Sequence, residues 1–104
     1  MVAELEHCTV YFPEGYDQRA AFETPFKGYL GDVVVRLEDG SRYRLYFVDP
    51  VRLRQTLDDD IRRGRPFYTE PGLVVLPEVG TEAIRKAVAG LVRDGYFQHL
   101  KALP

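Results

Sequence analysis

The chain has 104 residues, with 14 Lys plus Arg against 16 Asp plus Glu and a formal charge of −2. At ~100–200 residues per domain this is one domain, residues 1–104, long enough to hide a core without disulfides or metal. A composition of 45% hydrophobic and 29% charged residues excludes disorder, no apolar run reaches the ~18 residues of a membrane span, and the lone Cys8 cannot close an internal disulfide.

Cys8 to Phe12 is β-branched and aromatic and stops at Pro13, the pattern of a short strand. Residues 13–26, with Gly15, Asp17 and Pro25, read as a long loop carrying Tyr16, Phe22 and Phe26. The segment 28–48 is a hairpin. Val33, Val35 and Leu37 alternate with Asp32, Val34 and Arg36 before its turn, and Tyr43, Leu45 and Phe47 with Arg42, Arg44 and Tyr46 after it. Asp39-Gly40 suggests a two-residue turn, but that register would set these residues opposite Arg42, Arg44 and Tyr46. A three-residue loop, Glu38 to Gly40, with Gly40 left-handed in a bulge, brings all six onto one face. Asp49 and Pro50 then open a helix over about 50–63, with Leu53, Leu57 and Ile61 on one stripe and Gly64 after its end. Leu73 to Leu76 reads as a strand buried on both faces. Thr81 caps a second helix over about 82–94, striped by Ile84, Ala87, Val88 and Leu91. The apolar residues of the tail, Tyr96 to Leu103, are expected to pack.

This order predicts an α+β fold. A two-layer sandwich of a mainly antiparallel sheet, with both helices on the odd-numbered hairpin face, buries every apolar stripe most economically. The opposite face, with Arg36, Arg42, Arg44 and Tyr46, is left for solvent or contact.

The inventory of reactive groups is thin. Ser41 is the only serine, Asn is absent, and the cations are 11 Arg and 3 Lys. Heat adaptation gives such a bias, and so does a GC-rich genome. His7, Cys8 and His99 lack the paired spacing of a zinc site, and His7 and Cys8 point to opposite sides of a strand. Asp58, Asp59 and Asp60 fan around a helix instead of converging, with arginines in reach of two; Asp60 lies at the stripe's edge and calls for a partner. No nucleotide-binding glycine motif occurs. The chain therefore predicts no catalytic residue, no metal and no cofactor.

What remains is a distribution of charge and aromatic surface. Residues 36–65 carry a net charge of +2 and the remainder −4. Arginine and tyrosine are enriched at protein interfaces, where lysine is depleted. The expectation is a cytoplasmic, non-enzymatic interaction or regulatory domain that self-associates, with Arg36, Arg42, Arg44, Tyr46, Tyr16, Phe22 and Phe26 as contact residues. The runner-up is nucleic-acid binding through the Arg/Tyr sheet face, which the low pI of about 5.6 disfavours. A third reading is a small ligand binder or enzyme using Cys8, His7 and His99. No membrane partner is expected.

Overall fold

The computed structural model describes residues 1–104. In chain order its elements are β1 (Val2–Glu4), β2 (Cys8–Tyr11), α1 (Gln18–Lys27), β3 (Tyr29–Leu37), β4 (Arg42–Val48), α2 (Pro50–Arg62), β5 (Leu73–Val75) and α3 (Thr81–Arg93), followed by a 3-10 turn at Tyr96–His99. β1 to β4 pair antiparallel in sequence order, and β5 lies parallel to β4. That parallel pair needs a crossover, which α2 supplies.

The hairpin has the expected odd-length loop. Val35 faces Tyr43 and Val33 faces Leu45, the Gly40 N–H donates to the Leu37 carbonyl, and Gly40 sits at φ 87°. Ala3, Val10, Val35 and Tyr43 are successive register partners across four strands, so one row delivers apolar side chains to one face. Ile84 and Val88 of α3 and Phe97 of the turn close over that face in a cluster of 14 buried residues. Each such side chain contributes roughly 1.5–3 kcal/mol when fully buried. The fold is thus the α+β sandwich that the patterning implies, and the tail packs through Tyr96, Phe97 and Leu100.

Several local features differ from the sequence reading. Residues 13–26 are not a loop throughout: Asp17 accepts a hydrogen bond from the Ala20 N–H at 2.8 Å and starts α1. Pro25 falls in the last turn, where it removes one helical bond, and Gly28 ends the helix at φ 79°. β1 adds an edge strand the sequence did not announce. Gly80 rather than Thr81 occupies the cap of α3, and the Thr81 hydroxyl instead bonds the Tyr16 hydroxyl at 2.7 Å. β5 is a sheet margin, not a doubly buried strand, and Val75 remains 48% exposed.

The layer over the core is made by α3 and, with Ala20 and Ala21, by α1. Helix α2 has no buried residue, and Leu53 and Leu57 lie outside the core cluster. Its first turn sets the Arg52 guanidinium 4.4 Å over the Tyr29 ring, which neighbours Tyr46 on the far face. Val48, 1% exposed yet outside the core cluster, alternates with Phe47 and so faces the same way as Tyr46. A stripe of one residue every four is narrower than that of α3, which is why α2 seals a corner instead of roofing the core.

Candidate functional site

The far face of the sheet is open over β1 to β4. Register sets Glu4, Thr9, Arg36 and Arg42 in one row and Val2, Tyr11, Val34 and Arg44 in the next. Three of the predicted contact residues, Arg36, Arg42 and Arg44, therefore stand together on this face. Arg36 lies 5.5 Å from the Tyr11 ring, Arg44 reaches Asp32 at 3.6 Å, and Arg42 donates to the Pro104 carbonyl at 2.8 Å. Leu103 also donates its N–H to the Arg42 carbonyl, so the tail lies along the stretch of β4 that β5 leaves unpaired. Arg36 and Arg42 are direct cross-strand partners, and neither has an Asp or Glu carboxylate within 4 Å.

Tyr46 marks where this face meets α2. A β-bulge between Leu30 and Val33 puts Gly31 and Asp32 beside it, with Asp32 at φ 56°. An open groove of about 620 Å³ runs there, walled by Tyr29, Tyr46, Tyr68, Arg44 and Lys101. Burial raises the Tyr46 hydroxyl above its ordinary pKa, against the pull of the Arg52 charge. Tyr68 is pushed up further, by burial and then by its 2.8 Å hydrogen bond to the Glu70 carboxylate. Both phenols stay protonated at neutral pH. The sequence reading missed Tyr29 and Tyr68, because the bulge and the turn before β5 bring them to Tyr46 and neither has a periodic signature.

The aromatics of residues 12–26 divide. Phe12 and Tyr16 stack at 4.8 Å inside the core, so Tyr16, predicted as a contact residue, is buried. Phe22 and Phe26 project from α1 at 73% and 82% exposure with their rings 5.8 Å apart. Ala20, Ala21 and Thr24 occupy the packed side of the same helix, which leaves the two phenylalanines together on its outer side. The Gly28 carbonyl accepts the Asp49 N–H at 2.8 Å, so Val51, at 67% exposure, begins α2 close to the end of α1.

Cys8, His7 and His99 do not converge. The Cys8 thiol is buried and its pKa raised by that burial, the opposite of an activated nucleophile. His7 instead meets Glu38 through Nδ1 at 2.9 Å, and His99 lines neither cleft beside Cys8. The aspartate run behaves as a solvated helix face: Arg54 pairs with Asp58, Arg62 with Asp59, and Asp60 finds Arg65 at 3.9 Å.

Fold and surface together define an α+β sandwich with one open, arginine-bearing sheet face and a phenylalanine pair on a short helix. No family model matches this chain, and neither a curated protein nor a solved structure matches it. No helix is long and apolar enough to cross a membrane.

Proposed function

We propose that the protein is a non-enzymatic interaction or regulatory module that works by association, through α1 and the open sheet face. The observation that carries this reading is the pair Phe22 and Phe26, left 73% and 82% exposed while Ala20, Ala21 and Thr24 of the same helix pack. Two adjoining phenyl rings in water cost apolar hydration that a partner removes. They offer roughly 300 Å² between them, against about 800 Å² per partner in a stable complex, so α1 needs a second surface or a partner that wraps it. The arginine face, on the other side of the sheet, is a separate second surface. The single buried thiol supports a reducing compartment, the cytoplasm.

Replacing both rings tests the reading. Phe22→Ser with Phe26→Ser should leave the thermal melt unchanged within a few degrees and weaken the association of the protein, read as a smaller concentration-dependent rise in sedimentation coefficient. A wild type that binds no protein and sediments as a monomer, identical to the variant, would remove it.

Nucleic-acid binding is the second reading, favoured by one feature: Arg36 and Arg42 stand side by side with no Asp or Glu paired to either. It requires an oligonucleotide complex that weakens steeply with salt.

A further inference from the structure

We propose that the open face of β1 to β4 docks a second copy of this chain across a two-fold axis, with Glu4 of each copy against Arg42 of the other. This rests on the association reading above and names the occupant of the sheet face. The starting point is a conflict within the monomer. Arg36 and Arg42 are directly opposed across β3 and β4. The Leu37 N–H bonds the Ser41 carbonyl, which makes the next pair outward, Arg36 with Arg42, a non-hydrogen-bonded one with its side chains drawn closer. Like charges in that position are destabilising. The same row ends at Glu4 on β1, which has no ion pair of its own. Three strand spacings, about 14 Å, separate Glu4 from Arg42, too far for them to meet within one chain.

A two-fold axis parallel to the strands, passing between β2 and β3, resolves both ends of the row at once. It lays β1 of one copy over β4 of the other and β2 over β3. Glu4 then faces Arg42 of the second copy, and Tyr11 faces Val34 of the second copy, each contact made twice. Aligned sheets pack about 10 Å apart, a gap that a glutamate and an arginine reaching toward each other span. Arg42 keeps donors for this, since a guanidinium carries five N–H groups and the Pro104 carbonyl engages one nitrogen. An acidic peptide or a nucleic acid would satisfy Arg36 and Arg42 but set its own negative charge near Glu4. A second copy satisfies both.

Charge reversal decides it. Sedimentation equilibrium is run on the full chain as wild type, Glu4→Arg, Arg42→Glu and the double variant, with circular dichroism melts to confirm folding. Each single reversal should weaken the dimer at least about tenfold, and the double variant should return to within about threefold of wild type. A double variant as weak as the singles, singles as tight as wild type, or a monomeric wild type overturns the proposal. A dimer indifferent to both reversals but dissolved by the Phe22→Ser, Phe26→Ser change would refute this face and leave association through α1 standing. A salt-sensitive oligonucleotide complex lost in Arg42→Glu and kept in Glu4→Arg would assign the face to nucleic acid instead.

Discussion

At Gly72 the backbone runs so close to β4 that a Cβ would sit 2.3 Å from the Arg44 carbonyl oxygen, at φ +77°. No side chain is tolerated there, because the obstacle is backbone and the Gly72 carbonyl accepts the Tyr46 N–H at 2.9 Å to begin the β4–β5 pairing. Gly72→Ala should cost about 2–4 kcal/mol in urea unfolding, whereas Gly40→Ala, also left-handed but in open space, should cost only about 1 kcal/mol. Equal losses would show that backbone conformation, not the close approach, governs both sites. Titration gives a second residue-scale expectation. Tyr46, Tyr68 and Cys8 all have pKa values raised by burial in the folded chain. On unfolding they lose protons at lower pH than in the native state, so stability is full below their ordinary values and falls as pH rises through about 9–10 and beyond. Asp39 is shifted the other way, held low by the Ser41 hydroxyl and then the Ser41 N–H, so its contribution is present above the ordinary aspartate range and fades in acid. Tyr68→Phe should therefore flatten the alkaline limb of a stability–pH curve; a limb unchanged by that substitution would show that the Tyr68 phenol does not cause it.

Among the elements, α3 and α2 look alike in sequence and differ in what they hold. Ile84 is fully buried, whereas Leu57 is half-buried outside the core cluster. Ile84→Ala should cost about 3–4 kcal/mol and Leu57→Ala roughly 1 kcal/mol, with the reverse order placing α2 over the core after all. Loss of the α1 cap through Asp17→Ala should cost about 1 kcal/mol in the same assay. Elements with strong periodicity were legible. Alternation fixed the parity of the hairpin register and so its odd loop, because an even-length loop would have split the apolar set between two faces. The stripes located α2 and α3, and Asp49 with Pro50 marked a helix start. Helix α1 was hidden by Pro25, which costs a helix one hydrogen bond and reads as a breaker, yet lies inside it near the C-terminal end. β1 was hidden by its length of three residues. The side taken by α2 depends on a crossover, and the bulge at Gly31 and Asp32 depends on tertiary fit; neither leaves a local signal. Of the residues expected to make contacts, alternation alone set the arginines on the far face, while Tyr16 could not be told from Phe22 and Phe26 before α1 was known to separate the buried rings from the exposed ones.

Across the whole molecule, the near-balanced charge conceals an uneven face. The arginines gather on β3 and β4, and Glu4 stands at the β1 margin of the same row. Three strand spacings keep these charges apart in a monomer, and a two-fold pairing brings them together. An interface containing exposed ion pairs is screened by salt, so association should weaken between low and physiological ionic strength, while the apolar contribution of α1 should not. The most direct measurement is the mass of the wild-type chain by sedimentation equilibrium over a wide range of concentration. Association through these surfaces predicts a concentration-dependent rise to the mass of two chains, about 24 kDa for an 11.9 kDa protomer. A mass that stays at one chain at every concentration would contradict it.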